Sequence, residues 1–226
     1  MNITHIISKE IFAKIGTRKY VYNSIVLSAI ESIFSIQAQY DAVVKPLVIR
    51  FAKQKAKMKN IYDDEYTPSE FLREFEKRVF DDSAIQEVFG NLQLTSAKSG
   101  IRKGEAVKQA ICMLDNYGVQ NRQNLLTSPK IAEVEKAWRE IKGQASGITW
   151  RYFLMLCGND TYFKDDTWMY RFFISELGYK NIRQNNDYDK LKAAFDFEYE
   201  KVKIVYPNIT KSRLDYIIWE NMARKN

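Results

Sequence analysis

The chain has 226 residues, about one and a half times the usual domain length, so one domain or two small interlocked lobes are expected. Its 35 basic and 28 acidic residues give a net charge of +7, and with 46% hydrophobic residues they are typical of a soluble globular protein and exclude disorder, collagen and coiled coil. With 9 glycines and 4 prolines there are too few turn-forming residues for a sandwich, a barrel or a glycine-rich nucleotide-binding fold, so an all-α protein is predicted.

Apolar residues at helical spacing predict the elements of the first half. The segment Thr67-Pro68-Ser69-Glu70 has the pattern of a capping box that opens one of these helices, and Gly90 is placed to end the next. Five basic residues and no acid lie between positions 50 and 59 and form a basic block. In chain order, the expectations are helices over 17–37, 41–59 and about 68–79, a short helix around 85–89, and a loop over 92–102.

The second half is predicted as helices separated by short connections. Gly118 is placed as a left-handed cap, Ser128-Pro129 as a helix start, and Gly143 as a stop before the turn 143–147. The following helix is apolar almost all round, so it should be buried on most sides. The expected helices are about 103–117, 128–142, 149–156, 167–177, 188–205 and a last one through 214–219, and no strand is expected.

Charge and cysteine content narrow the function classes. Two cysteines and one histidine, His5, cannot supply the ligands of a structural zinc site or an iron-sulfur cluster. No run approaches 18 apolar residues, and the first ten residues lack the order of a signal peptide, so a cytoplasmic protein without a membrane span is expected. A pI near 9.2 with basic residues in blocks indicates a polyanionic partner.

Two motifs in the order and spacing of a known superfamily follow one another in the second half of the chain. They are Gly147-Ile148-Thr149-Trp150-Arg151 and Asp166-Thr167-Trp168-Met169-Tyr170-Arg171. Two weaker matches lie upstream, at Gly100 to Ala106 and at Ser35-Ile36-Gln37. Together they resemble the helix-hairpin-helix (HhH-GPD) DNA glycosylase superfamily over roughly residues 24–178.

The resemblance implies an all-helical fold of two lobes with a cleft between them. A central domain would span 25–161 and contain the hairpin, and 1–24 with 162–226 would form the second lobe. The implied protein is a monomer that binds double-stranded DNA, flips a base out of the helix and excises it, in base excision repair or in defence against modified phage DNA.

Three residues depart from the superfamily pattern. Thr149 replaces the second hairpin glycine, Trp168 replaces a histidine, and Arg151 stands where lyase-competent members carry the Schiff-base lysine. A guanidinium stays protonated and cannot attack a sugar carbon as a free amine does. A monofunctional glycosylase is therefore expected, unless Lys142 or Lys164 substitutes.

The hairpin has a physical rationale as a phosphate seat. Amides from Gly147 to Trp150 lie where a helix begins, so they can bind a phosphate oxygen, and Arg151 can add a charge-assisted contact. The alternative is an ordinary helix-helix turn. DNA-binding residues expected here are Gly143, Gly147, Ile148, Thr149, Trp150 and Arg151. Hairpins of the resembled superfamily often hold a monovalent cation through carbonyl groups, but the departures put that cation in doubt, and no other metal or cofactor is expected.

Asp166 is the expected catalytic residue. A carboxylate at a helix start is favoured in its ionised form, in which it can stabilise an oxocarbenium-like sugar and orient or deprotonate water. The alternative role is that of an N-cap, the commonest one for Asp before a helix. Asp165 is the fallback, and Asp160 comes third.

A glycosylase also needs a wedge, a base pocket and backbone contacts. Gln37 is the wedge by resemblance, although a solvated polar residue is an equal alternative for it. Aromatic residues near the motifs can stack on a base, and basic residues can bind phosphates. The expected base pocket is Trp150, Phe163 and Trp168, and the expected backbone contacts are Lys98, Arg102 and Lys103.

Two other functions stay open. One is a DNA-structure-binding protein that keeps the hairpin without chemistry. The other is a helical module that binds an acidic protein partner and has no affinity for DNA at low salt.

Overall fold

The computed structural model describes residues 3–6, 21–75, 78–184 and 187–223. Within these ranges the chain is helical and has no strand, only an isolated bridge between Leu94 and Arg102. The predicted all-α class is confirmed. The α-helices are α1 Ile3–Ile6, α2 Ile25–Phe34, α3 Lys45–Gln54, α4 Pro68–Phe75, α5 Asp82–Phe89, α6 Lys103–Asn116, α7 Arg122–Leu126, α8 Ile131–Glu140, α9 Ile148–Leu156, α10 Thr167–Arg171, α11 Tyr188–Val205 and α12 Lys211–Ala223.

Several helix ends form as the sequence predicts. The Thr67 amide donates to the Glu70 carboxylate at 2.7 Å, and the Glu70 amide donates to the Thr67 hydroxyl at 3.2 Å, so the capping box at α4 is confirmed. Gly90 and Gly118 have φ of 59° and 71°, the left-handed conformation that glycine adopts without strain. Both glycines end a helix.

Other helices are shorter than predicted because backbone groups find partners outside the helix. The Tyr22 amide donates to the Leu156 carbonyl and the Asn23 amide to the Tyr62 carbonyl, so α2 begins only after Ser24, whose hydroxyl caps it. The basic helix ends at Gln54 rather than 59, ahead of Lys57, which has a φ of 54°. Positions 17–20 and 76–77 of the predicted helices lie outside the described residues.

Two π-helical segments adjoin α-helices. They are Tyr40–Val44, which leads into α3, and Phe172–Glu176, which continues α10. Periodicity predicts both as parts of ordinary helices, because one extra residue per turn changes the spacing of apolar residues too little to detect.

The chain divides into two compact units. The larger is Val21–Asn159, built around α2, all ten of whose residues are buried. Four helices, α3, α4, α6 and α9, pack against α2. This central position explains why the sequence of α2 is apolar on every face except for its serines and Glu31.

The smaller unit contains residues 3–6 and the described residues after Asn159. Here α10 packs against α12, and α1 packs against α11. The core includes Phe163, Met169, Phe172, Phe195 and Leu214. Among the helices that the structure describes, none combines the length and apolarity needed to cross a membrane.

Candidate functional site

Asp166 lies at the start of α10 in the smaller unit. Its Oδ1 accepts the backbone N–H groups of Trp168 at 2.9 Å and Met169 at 3.2 Å. Its Oδ2 lies 3.5 Å from the Lys164 ammonium, and its side chain is 23% exposed. One oxygen therefore caps the helix while the other belongs to a partly accessible carboxylate held beside a positive charge.

Two further carboxyl groups lie near Asp166. Asp165 is almost fully buried, and so is Asp215 of α12, whose Oδ1 accepts the Lys164 N–H at 2.9 Å. Burial, together with the negative charge of Asp166, raises the pKa of Asp215 to about 8. The site thus combines an accessible carboxylate with a buried carboxyl group that is protonated at neutral pH.

The other acidic candidate and two of the base-pocket candidates have structural roles. Asp160 accepts the Lys211 N–H at 2.9 Å at the start of α12. Phe163 is fully buried, with its ring 4.1 Å from that of Phe195, so it belongs to the core and is not available to stack on a base. Trp168 is partly buried, and the Arg171 guanidinium lies 5.3 Å from its ring.

The glycine hairpin lies in the larger unit, between α8 and α9. Gly143 and Gly147 have φ of 93° and 75°, which let the chain reverse within seven residues. Carbonyl oxygens of the turn are engaged by the protein: Gln144 O accepts the Gly147 N–H and Ala145 O accepts Arg139 Nε. Because these carbonyl oxygens already accept hydrogen bonds, the turn does not offer the free carbonyls that would hold a monovalent cation.

The Thr149 hydroxyl joins the turn 143–147 to the core of the larger unit. Its hydroxyl accepts the Trp138 indole N–H at 3.1 Å and donates to the Gln144 side chain at 2.6 Å. All three side chains are buried. The hairpin is therefore tied to the core of the larger unit by a chain of hydrogen bonds.

Two guanidinium groups flank Gly147. A Cβ atom at this position would lie 2.9 Å from Arg151 Nη1 and 3.5 Å from Arg139 Nε. The Ile148 N–H at the start of α9 lies 3.4 Å from the Ser146 hydroxyl, and the next two N–H groups have no partner within the helix. These N–H groups lie at the positive end of the helix dipole. Sequence reasoning did not single out Arg139; its place one turn before the hairpin could have indicated it.

Two features of Gly143 favour glycine there, a positive φ and close packing against Thr95, and mutation can separate them. Gly143→Ala should lower the free energy of unfolding by about 2–4 kcal/mol, because its Cβ would lie 2.5 Å from Thr95 in addition to the strain of φ 93°. Gly118→Ala is the matched control, with φ 71° and nothing within 4 Å, and should cost only about 1 kcal/mol. Urea unfolding measures both, and equal losses would contradict the packing argument.

Lys103 and Trp150 lie where neither can reach DNA directly. The Lys103 ammonium is buried and donates to the Phe34 and Ile36 carbonyls and to the Gln93 side chain. Burial lowers its pKa to about 8. Trp150 is 1% exposed and its ring packs on Trp138, so it is a core residue and, like Lys103, has no surface to offer to DNA.

The remaining candidates are at the surface. Gln37 is exposed and has a φ of 46°, which few residues other than glycine adopt. Lys98 is exposed, whereas Arg102 is paired with Asp82 at 2.6 Å and has less freedom to bind a phosphate. Gln37 follows the end of α2 that the Lys103 ammonium holds.

A buried carboxylate in the larger unit was missed by the sequence argument. Glu31 of α2 is 2% exposed, and its carboxylate accepts hydrogen bonds from the hydroxyl groups of Tyr22 and Tyr152. Burial, followed by the Glu31 charge, raises the pKa of both tyrosines well above the usual value. An acidic residue inside an otherwise apolar helix is the signal that could have found it.

The chain was compared with known proteins. No curated protein and no solved structure matches it. One family model matches residues 6–223, almost the whole length, and that family is described as a domain of unknown function, DUF8548. The protein whose fold and site are described above therefore belongs to the DUF8548 family.

Proposed function

We propose that the protein is a monofunctional DNA glycosylase of the helix-hairpin-helix type, which hydrolyses the N-glycosidic bond of a flipped, damaged or modified base. The observation that carries the proposal is the environment of the two carboxylate oxygens of Asp166. Its Oδ1 caps α10, its Oδ2 lies beside the Lys164 ammonium, and the side chain is partly exposed. No second nucleophile is needed for this chemistry.

Asp166 suits the transition state of glycosidic cleavage. As the base leaves, the sugar develops positive charge at C1′, and a fixed anion stabilises that charge. The same oxygen can orient water or accept a proton from it as it attacks C1′. The two amide donors hold the carboxylate in place, so little reorganisation is required during the reaction.

The hairpin supports DNA binding in this proposal. Arg139 and Arg151 beside Gly147, with the N–H groups of Thr149 and Trp150 in the first turn of α9, form a group of donors suited to one phosphate. Arg139 also bonds to Ala145 O and lies 3.5 Å from Glu135, so a phosphate would compete with these contacts. Phosphate contacts carry no sequence information, so they agree with an enzyme that examines many positions. Lys98, which is exposed, is a further candidate for a phosphate contact.

Base release from a panel of duplexes tests the proposal directly. Each duplex carries one uracil, alkylated, oxidised, deaminated or phage-type modified base, and abasic sites are revealed by alkali. Strand breaks that require alkali would support a monofunctional glycosylase, whereas breaks without alkali would indicate a lyase. Lack of product on every duplex, with DNA binding that weakens steeply as salt rises, would favour a binding protein without chemistry.

One observation favours the second candidate function, a protein-interaction module. Phe197, Ile204 and Val205 are exposed on one face of α11, and the Lys201 ammonium lies 3.9 Å from the Phe197 ring. An apolar row bordered by lysine fits an amphipathic acidic segment. This function predicts no DNA affinity at low salt, so the same binding measurement separates the two.

A further inference from the structure

Asp215 is linked to Asp166 through Lys164. The Asp215 carboxyl accepts the backbone N–H of Lys164, and the ammonium of the same lysine lies 3.5 Å from Asp166 Oδ2. Asp215 is 7% exposed, Asp165 2%, and only Asp166 of the three has a partly accessible side chain. The buried carboxyl thus fixes the segment that carries the accessible one.

An acid is an unexpected choice for the structural part of this role. An asparagine oxygen could accept the Lys164 N–H equally well, without the energetic cost of burying an ionisable group. Burial, and after it the charge of Asp166, holds the pKa of the Asp215 carboxyl above its usual value. The contact with Lys164 therefore needs only an accepting oxygen, from an uncharged carboxyl or from an amide.

We infer that Asp215 is the positioning residue of Asp166: its buried carboxyl accepts the backbone N–H of Lys164 and anchors this residue so that the lysine ammonium faces Asp166. The inference rests on the proposed function in assigning a reaction to Asp166. The anchoring itself depends only on residues of the smaller unit.

The charged groups that act on Asp215 lie just before α10 and at its N-terminal cap. The segment before α10 contributes Lys164 and Asp165, and the cap of α10 contributes Asp166. Helix α11 presents Asp196, which pairs with Lys211 at 2.7 Å at the start of α12 rather than with Asp215. Asp215 therefore responds to Asp166, Lys164 and Asp165.

The pH dependence of unfolding tests whether Asp215 holds a proton. Above a pH of about 4 an unfolded aspartate is ionised, so folding must take up a proton on Asp215. Stability then falls as pH rises from about 4 to about 8, where the raised pKa lies, and is level above it. Asp215→Asn should remove this fall and give a Tm at pH 7 at least about 5 °C above wild type.

Two variants complete the stability test. Asp189→Asn, at an exposed position of α11, is the matched control and should leave both Tm and its pH dependence unchanged. Asp166→Asn removes a like charge beside Asp215, so the upper end of the fall should move to lower pH. A Tm for Asp215→Asn at or below wild type at pH 7, or an upper end that does not move in Asp166→Asn, overturns the inference.

A binding ratio tests the positioning role separately. The probes are two duplexes, one with a positively charged pyrrolidine in place of a nucleoside and one with an uncharged tetrahydrofuran. Asp215→Ala should raise the preference for the charged duplex about 10-fold, because the Lys164 ammonium, which offsets part of the Asp166 charge, loses its anchor, whereas Asp215→Asn should keep the wild-type preference. An unchanged ratio in Asp215→Ala overturns positioning. If wild type has no preference, the proposed function fails, and the unfolding data alone test whether the buried Asp215 carboxyl is protonated in the folded protein.

Discussion

Asp166→Asn should reduce base release by about 10²–10⁴-fold on any duplex that wild type cleaves. The amide removes the negative charge that stabilises C1′ and cannot accept a proton from water. Asparagine is as good an N-cap as aspartate, and its oxygen can still accept the Trp168 N–H. The loss should therefore appear in the rate, measured in single turnover, while Tm does not fall.

The charged pyrrolidine duplex makes the same prediction independent of the unknown base. A fixed cation near C1′ imitates the charge of the transition state, so wild type should bind it more tightly than the tetrahydrofuran duplex, and Asp166→Asn should bind both alike. Asp165→Asn is the informative comparison. Its carboxyl is nearly buried, so that variant should keep the preference.

A contrary result would be equally clear. If Asp166→Asn releases bases at the wild-type rate, the carboxylate is only the cap of α10, and the reaction has to be assigned elsewhere. If Asp165→Asn alone loses activity, the two neighbouring aspartates exchange roles. A loss in both, accompanied by a lower Tm, would instead indicate that the loop has lost its shape.

Helix positions in this chain follow from the sequence where caps and glycines are local signals. The capping box at Thr67 and the ends at Gly90 and Gly118 depend only on neighbouring residues. The start of α2 does not, because Tyr22 and Asn23 bond to carbonyls far along the chain. Local patterns cannot reveal a backbone partner more than a hundred residues away.

The residues of the candidate site also fall into two groups, those that local sequence patterns reveal and those whose environment only the fold creates. Asp166 and the hairpin glycines are recognisable because their roles require particular residue types at short spacing. Asp215 lies 49 residues after Asp166, and its role is created by burial, which no motif encodes. Likewise, Lys103 looks like one of many surface lysines until the fold encloses it.

Trp138→Ala should have the largest effect on stability, about 3–5 kcal/mol. The indole is fully buried and stacks on Phe153 with ring centroids 4.7 Å apart. Its removal leaves a cavity, and the Thr149 hydroxyl loses a donor. Urea unfolding monitored by circular dichroism measures the loss. Trp138→Phe is the control: it keeps an aromatic ring at this position, although not the indole N–H, and should cost less than half as much.

Thr149→Val separates the hydrogen bonds from the packing at this point. It keeps the shape of the side chain but leaves the Trp138 N–H and the Gln144 oxygen without the hydroxyl, so about 1–3 kcal/mol should be lost. If the hairpin binds a phosphate, this loosening should also weaken DNA affinity at constant salt, more than an equally destabilising change in α4 does. Equal effects from both sites would mean that the hairpin is an ordinary turn and that DNA, if bound, contacts the protein elsewhere.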